Sequence, residues 1–403
     1  MTSNLISSLK GVKIITTDPG KRIGLYAIRY LGKAGAEVHC ISPSPQGNIP
    51  VGLLSKYCRK KILFERDFEK SFKDYLVNYA QNYDFVNPVE VSKMHMLLDV
   101  AKMHNIKCAY LLPSELSLRV ADNKELLTRH ATSVGLLCPQ TFFQVPEEEI
   151  ENLSHSSLTY PCIIKFRGDN RASHWRPEDR YSIVNTPDAL VTEYRRMFQI
   201  EPYPIIQEYI YGWGCGYFAL YDSNRNLAAQ FCHKRIREYP VSGGPSSCCQ
   251  SFYDEELVRI GRTLFESLEW TGLGMVEFIY DVSRKKYYII EVNPRYWGSL
   301  PLAVHSGVNF PVLHAMSALN QKYTPVMDYR INVKLRFWER DIKSIFSNLR
   351  MQNSISTKMK LLIDLFNPTI KDGVINLDDS TALIKSFLSN NISLIRENFL
   401  SRM

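Results

Sequence analysis

The sequence has no long apolar run, and none approaches the ~20 residues that a membrane-spanning helix needs. We therefore expect no membrane partner. Lysine and arginine are spread along the chain rather than gathered in blocks, although the formal net charge is +8 over 403 residues. Scattered charge gives little support to nucleic-acid binding. Internal repeats and low-complexity tracts are also absent from the sequence.

The cysteines lack any metal-binding or disulfide pattern. There are nine, an odd number, and no Cys-x-x-Cys occurs. Cys248 and Cys249 are adjacent, which is poor geometry for bridging each other or for holding a metal. No signal peptide is recognised at the start of the sequence. We therefore expect reduced thiols and a cytoplasmic location.

The first loop is too poor in glycine for a dinucleotide fingerprint. A strand over 12–17 and a helix over 25–34, followed by a strand over 38–41, predict the β-α-β opening of a doubly wound domain. The turn between them has only Gly20 and Gly24, whereas the fingerprint requires G-x-G-x-x-G. Lys21 and Arg22 fit either an anion near the helix start or a solvated loop.

The most informative stretch is residues 287–299, which read YYIIEVNPRYWGS. Its apolar and aromatic start predicts a strand. Glu291 and Asn293 are two apart, so on a strand they share one face, and Arg295 follows just past a proline. A carboxylate, an amide oxygen and a guanidinium at one strand end fit a metal and phosphate site.

A second strand over 273–281 carries Glu277 and is joined to the first by a short polar turn. We expect the two strands to pair antiparallel and to place Glu277 beside Glu291. Like charges opposite each other are destabilising unless a cation lies between them. The alternative is that both are exposed edge carboxylates and that Arg295 pairs with one of them.

Further candidates occur in order along the chain. Glu90 follows a predicted strand at 85–86, where it fits a ligand-binding edge or a charge at a helix N-terminus. Lys124 begins a predicted helix, beside Asp122 as a potential N-cap, and Lys124 itself fits either a phosphate contact or an exposed position. Lys165 ends an apolar strand and must meet an anion or solvent.

The residues EVNPRYWGS, with VEF around Glu277, resemble the C-terminal signature of the ATP-grasp superfamily. That superfamily includes biotin carboxylase, D-alanine–D-alanine ligase, the carbamoyl-phosphate synthase large chain and many carboxylate–amine ligases. The resemblance implies that Glu277, Glu291 and Asn293 hold Mg²⁺ or Mn²⁺. It also implies that Arg295 stabilises the transferred phosphoryl group or an acyl phosphate.

The same resemblance assigns the remaining candidate residues. It implies that Lys124 and Lys165 contact the ATP phosphates. The strand that carries Arg235 is expected beside those of Glu277 and Glu291 in one sheet. That position would place Arg235, and with it Arg237, over the transferred phosphate and a carboxylate substrate, and a solvated basic strand is the alternative. The segment RIREYPVSGGPS is similar to uncharacterised carboxylate–amine ligases of the superfamily. The adenine hinge is expected at Gln207, Glu208, Tyr209 and Ile210, with a surface charge as the alternative for Glu208.

Two stretches depart from the superfamily pattern. The phosphate-covering loop at 166–175 is usually rich in glycine and serine, but here it has only Gly168, Ala172 and Ser173 as small residues. Gly214 stands where many members have an acidic residue for the ribose hydroxyls. For the loop, the alternatives are that Arg167 and Arg171 replace the backbone donors or that the lid is ordered differently. At Gly214 the resemblance assigns no residue to the ribose.

The expected fold class is α/β and α+β. The resemblance implies a doubly wound pre-ATP-grasp domain over 1–116 and an ATP-grasp domain over 117–325 with a lid at about 155–212. A small, mainly helical C-terminal extension follows over 326–403, where a strand is expected around 335–338.

The function implied is an ATP-dependent ligase that activates a carboxylate as an acyl phosphate and couples it to an amine. The alternatives are a carboxylase or kinase-like phosphoryl transfer, and a nucleotide-binding scaffold without turnover. No biotinylated-lysine motif is visible. The expected partners are small-molecule carboxylate and amine substrates and a second copy of the chain in a homodimer.

Overall fold

Parallel strand pairing organises the amino-terminal part of the chain. A computed structural model describes residues 7–156, 158–166, 181–241, 243–351, 354–375 and 377–380. The first elements are β1 (Lys13–Thr16), α1 (Arg22–Lys33), β2 (Glu37–Pro43), β3 (Cys58–Phe64), α2 (Phe68–Tyr79), β4 (Phe85–Asn87), α3 (Val91–Met103) and α4 (Glu115–Asp122). The strands form a sheet in the order β3-β2-β1-β4, and each pair is parallel. The predicted doubly wound opening is confirmed.

Hydrophobic periodicity explains the packing of α1. Leu25, Ile28 and Leu31 recur at helical spacing and are completely buried. The strand β1 is buried after its first residue, and Ile14 and Ile15 are completely buried on its two faces. A strand that is buried on both faces is typical of a parallel sheet covered by helices.

A second, antiparallel sheet follows. Its elements are α5 (Lys124–Ser133), β5 (Thr141–Phe142), α6 (Ile150–Ser156), β6 (Cys162–Lys165), β7 (Tyr181–Val184), α7 (Pro187–Phe198) and β8 (Ile205–Glu208). The strand order is β5-β8-β6-β7, with antiparallel pairing throughout. Asn123 caps α5 by accepting from the backbone N–H groups of Glu125 and Leu126. The alternative that Asp122 is the N-cap is therefore wrong.

The third sheet has seven strands in the order β13-β12-β9-β10-β11-β14-β15. Its first part comprises β9 (Gly212–Tyr221), β10 (Leu227–Glu238), β11 (Ser246–Ser251), α8 (Glu255–Ser267), β12 (Gly272–Asp281), β13 (Lys286–Asn293), α9 (Leu300–Ser306) and α10 (Phe310–Ala318). The turn between β12 and β13 is too short for a parallel crossover, so these two neighbours are antiparallel. Both predicted signature strands are confirmed.

The C-terminal segment contributes to this same sheet. It contains β14 (Lys334–Arg336), α11 (Trp338–Met351), α12 (Ile355–Phe366) and β15 (Lys371–Asp372). The strand β14 pairs antiparallel with β11, and β15 pairs parallel with β14. The strand expected around 335–338 is confirmed, and the two helices fit the mainly helical character predicted for this segment.

The chain divides into two compact units. One comprises Met1–Leu118, Gly216–Met275 and Asn293–Met403, and the other comprises Arg119–Cys215 and Val276–Val292. In the first unit the aromatic residues of the signature enter the core, because the Trp297 ring lies 4.4 Å from that of Phe218 and 4.9 Å from that of Phe310. The conformation after β13 is therefore fixed by packing.

Candidate functional site

Oxygen-bearing side chains alternate with buried apolar ones on β12 and β13. Glu277 is half-buried between Val276 and Phe278, which are completely buried. Glu291 and Asn293 are half-buried and flank the buried Val292. The alternation turns the polar residues of each strand away from its apolar ones. Two carboxylates and an amide oxygen are the hard ligands that Mg²⁺ prefers, so this donor set fits the ion.

Lys165 begins a chain of hydrogen bonds in the second unit. It ends β6, and its Nζ donates to Oε1 of Gln207 at 2.7 Å. Nε2 of Gln207 donates in turn to Oγ1 of Thr141 at 2.8 Å. Gln207 is only 7% exposed. These two hydrogen bonds fix the side chain of Gln207. They also bring Lys165, which was assigned to the phosphates, into contact with Gln207, which was assigned to adenine.

The side chain of Glu208 is held by an arginine and by a backbone N–H group. Its carboxylate accepts from Arg284 at 2.6 Å and from the backbone N–H of Gln140 at 3.2 Å. The hydrogen bond with Glu208 raises the pKa of Arg284. The backbone N–H of Glu208 donates to the carbonyl of Gln140 at 2.8 Å. The side chain of Glu208 is therefore an ion-pair partner and not a solvated surface charge.

The two remaining residues of the expected adenine hinge follow directly after β8. Tyr209 packs edge-on against Tyr211 with ring centroids 4.9 Å apart, and Ile210 is buried. Lys124 is the first residue of α5 and is half-buried. All three residues belong to the second unit, which also contains Lys165, Gln207, Glu208, Glu277 and Glu291.

A bulge on β10 separates the two arginines that were assigned to the substrate. Arg235 is paired with Cys249 and Arg237 with Cys248, so the register shifts between them. Arg235 donates to Glu238 at 3.1 Å and keeps a partly exposed side chain. The strand therefore does not present the two arginines in simple alternation.

Arg237 is part of the packed interior and not of a substrate site. Its side chain is 6% exposed and contacts Asp341 at 2.8 Å and Asp364 at 2.6 Å. The prediction that Arg237 joins Arg235 over a substrate is wrong, because two carboxylates from the C-terminal helices already engage its guanidinium. Arg235 stays a candidate.

Arg295 lies beside Glu90 in the first unit. Its Nε is 3.8 Å from Oε2 of Glu90, and its Nη1 donates to the carbonyl of Tyr296 at 3.0 Å. Glu90 occupies the N-cap position of α3, but its side chain makes no cap hydrogen bond. Glu90 therefore lies both at the N-terminus of α3 and beside Arg295, and both alternatives for Glu90 stay open.

Sequence reasoning did not identify His233 as a residue of the candidate site. Oγ of Ser299 lies 2.8 Å from its Nδ1, and both side chains are buried. Burial, with a smaller contribution from Arg235, lowers the pKa of His233 to about 3. The histidine is therefore neutral, and it joins the strand that carries Arg235 to the loop that carries Arg295. Its position two residues before Arg235 was the available signal.

Residues 167–175 of the atypical loop lie outside the described residues, so the structure does not place Arg167 or Arg171. Gly214 lies within β9 and is buried. No helix in the described part of the chain is long and apolar enough to cross a membrane.

The comparisons with known proteins agree on the fold. A family profile described as "ATP-grasp in the biosynthetic pathway with Ter operon" matches residues 235–357. The structure is similar to N5-carboxyaminoimidazole synthetase from Staphylococcus aureus, with a TM-score of 0.63 and 14% identity, over 81% of each chain. Biotin carboxylase from Campylobacter jejuni has a TM-score of 0.60 and 16% identity, over 80% of this chain and 74% of that one.

An L-amino acid ligase from Bacillus licheniformis is also similar. Its TM-score is 0.55 at 15% identity, over 77% of this chain and 74% of that one. No curated protein gives a significant sequence match. At such low identity the structural likeness establishes the fold. The matched profile covers the C-terminal signature and all of α11.

Proposed function

We propose that this chain, which has the ATP-grasp fold and matches an ATP-grasp family profile over residues 235–357, is a member of the ATP-grasp superfamily and an ATP-dependent ligase that couples a carboxylate to an amine. The γ-phosphoryl group of ATP would pass to the substrate carboxylate, giving ADP and an acyl phosphate. The amine would then displace phosphate from the acyl carbon to form an amide. No covalent protein nucleophile is required.

The observation that supports the proposal best is the residue pattern of β12 and β13. Glu277 on one strand and Glu291 and Asn293 on its neighbour are half-buried, whereas the adjacent Val276, Phe278 and Val292 are buried. Like charges on adjacent strands repel each other. A divalent cation held by these oxygens would relieve that repulsion and neutralise charge on the ATP phosphates.

The other candidates have roles that follow from their charge and position. Lys165 and Lys124 would bind phosphate oxygens, and the backbone at Glu208 and Ile210 would bind adenine. Since the Glu208 N–H already donates to Gln140, its carbonyl is the group we assign to the adenine amine. Arg235 and Arg295 would stabilise the negative charge that develops during transfer.

A second candidate, phosphoryl transfer to bicarbonate, is supported by the similarity to biotin carboxylase. The two candidates differ in the acceptor that stimulates ADP release. Bicarbonate alone would stimulate a carboxylase, whereas a ligase requires a carboxylic acid and makes amide only when an amine is added. A chain that binds ATP but releases no ADP with any acceptor would be a nucleotide-binding scaffold.

The test is an ADP-release screen of amino acids and other carboxylates in pairs with amines, with Mg²⁺ present and with a chelator. We expect the Glu291→Gln variant to lose turnover by roughly 100-fold or more while its unfolding transition is retained, because one ligand of the charge-neutralising ion is lost. The control is Glu256→Gln on α8, which removes a carboxylate of an exposed pair with Arg259. Unchanged turnover in Glu291→Gln would remove the metal assignment.

A further inference from the structure

The parallel sheet of the first unit has a topological switch point between β1 and β4. From β1 the chain adds β2 and β3 on one side and then returns to place β4 on the other. In open parallel sheets, ligands bind in the crevice outside the carboxyl ends of the strands at such a point. The residues at this crevice are 17–18 after β1 and 88–90 after β4.

Buried polar contacts hold the loop after β4 in place. The backbone N–H of Val89 donates to Oγ1 of Thr17 at 3.0 Å, and Nδ2 of Asn87 donates to Oγ1 of Thr16 at 3.1 Å. The hydroxyl of Tyr296 donates to Oδ1 of Asn87 at 3.3 Å. The loop is therefore fixed both to β1 and to the residue that follows Arg295, and a site built on it would be preorganised.

The contact between Glu90 and Arg295 differs from the structural ion pairs of the same unit. Arg29–Asp379 and Arg237–Asp341 are buried and lie at 2.8 Å, the distance of a charge-assisted hydrogen bond. Glu90 and Arg295 are 3.8 Å apart, and each side chain is 26% exposed. At that separation the two groups attract each other, but both can accept a further partner.

Asp18 is the other carboxylate at the crevice, and it is already engaged. Its Oδ2 accepts from the hydroxyl of Thr17 at 2.5 Å, and its Oδ1 lies 3.7 Å from Nζ of Lys93. Only 12% of its side chain is exposed. Glu90 is therefore the carboxylate better able to meet a ligand.

We infer that Glu90 binds the ammonium group of the amine substrate beside Arg295, so that the acceptor is a primary amine that is positively charged at neutral pH. The inference rests on the proposed ligase function. A carboxylate at the crevice attracts a cation, and its closeness to Arg295 holds the amine next to the acyl phosphate. Such placement converts a bimolecular attack into one within the bound complex.

The amide-forming step balances with these groups. The ammonium nitrogen gives one proton to the Glu90 carboxylate, which passes it to solvent, and the nitrogen lone pair attacks the acyl carbon. A C–N bond forms, the C–O bond to phosphate breaks, and phosphate leaves with that electron pair. The second nitrogen proton goes to the departing phosphate, leaving a neutral amide.

Hydroxylamine provides a test because it is mostly uncharged at neutral pH and traps acyl phosphates as hydroxamates. In Glu90→Gln we expect the KM for the amine to rise about ten-fold or more, since a charged hydrogen bond is lost. Hydroxamate formation from ATP and the carboxylic acid should stay within about two-fold of the wild type, because that acceptor carries no ammonium group to bind. Glu90→Asp keeps the charge and should recover part of the affinity for the amine. Glu256→Gln is the matched control and should change neither rate.

Three results would overturn the inference. A parallel loss of amide and hydroxamate formation in Glu90→Gln would mean that Glu90 acts only through Arg295. An unchanged KM for the amine would mean that Glu90 does not bind it. Should Glu90→Gln unfold, an unaltered KM for the amine in a folded Glu90→Ser would reject the inference as well, because that variant also lacks the carboxylate. Failure of the proposed function is distinct, since the wild type would then give neither ADP nor hydroxamate with any acid.

Discussion

Arg237 and Asp341 form a bidentate ion pair in the interior of the first unit. Nε and Nη2 of Arg237 donate to the two carboxylate oxygens of Asp341, each at 2.8 Å. Burial opposes the charged form of the arginine, but the hydrogen bonds to Asp341 and Asp364 outweigh it and raise the pKa of Arg237. The hydroxyl of Ser247 also donates to Asp341 at 3.1 Å. The pair joins α11 to β10 only two residues from Arg235.

Removal of one partner of this pair should be costly. We expect Asp341→Ala to lower the free energy of unfolding by about 3–5 kcal/mol, because it leaves a buried guanidinium without its main counter-charge. Urea denaturation followed by far-ultraviolet circular dichroism measures the change. The exposed pair of Glu256 and Arg259, at a similar distance of 2.7 Å, is the comparison, and Glu256→Ala should change stability by less than about 1 kcal/mol. Equal losses in the two variants would contradict the assigned role of burial.

Two adjacent aspartates near the end of the described chain give a sharper comparison. Asp379 is buried and accepts from Nε of Arg29 at 2.8 Å and from Oγ of Ser55 at 2.7 Å. Asp378 is 43% exposed, and its hydrogen bond with Lys33, followed by that with Tyr57, lowers its pKa. The two carboxylates differ by one position in sequence but occupy very different environments.

We predict that Asp379→Ala lowers the free energy of unfolding by about 3–5 kcal/mol, since Arg29 is 4% exposed and would lose its carboxylate. Asp378→Ala should cost less than about 1 kcal/mol, because water can replace the contacts of an exposed group. Both variants are measured by the same urea titration. A larger loss in Asp378→Ala than in Asp379→Ala would reverse the assignment.

Local patterns were sufficient for the elements that carry the candidate site. The strand predicted over 273–281 is observed as Gly272–Asp281, and the strand predicted at the start of 287–299 as Lys286–Asn293. Alternation and helical periodicity involve residues close in sequence, so these elements can be read without a tertiary structure. The same reasoning placed Glu291 and Asn293 two apart on one strand.

Long-range partners could not be predicted in this way. Arg237 was expected to share the role of Arg235, but its partners Asp341 and Asp364 lie 104 and 127 residues further along the chain. Likewise, Glu208 meets Arg284 at a separation of 76 residues. A pattern of charges on one strand does not reveal which distant carboxylate packs against it, or where a bulge alters its register.

Two buried histidines make stability depend on pH. Burial lowers the pKa of His314 to about 4, against a hydrogen bond with the Leu111 carbonyl that acts in the other direction. His233 has a pKa of about 3 for the same main reason. Both are neutral when folded, whereas an unfolded histidine has a pKa near 6.5. Their contribution is present above pH 6.5 and is lost as the pH falls towards about 4 for His314 and about 3 for His233.

The prediction is tested with His314→Gln, which keeps a neutral polar side chain at a site where Nε2 donates to the Leu111 carbonyl at 2.8 Å. Between pH 6.5 and 5, above the range in which most carboxyl groups titrate, each buried histidine should remove stability with a slope that rises from about 0.7 to about 1.2 kcal/mol per pH unit. The variant should therefore lose stability less steeply than the wild type by that amount, as measured by urea denaturation at several pH values. His104→Gln, at an exposed position, should retain the slope of the wild type. Identical slopes in wild type and His314→Gln would show that His314 is not held neutral in the fold.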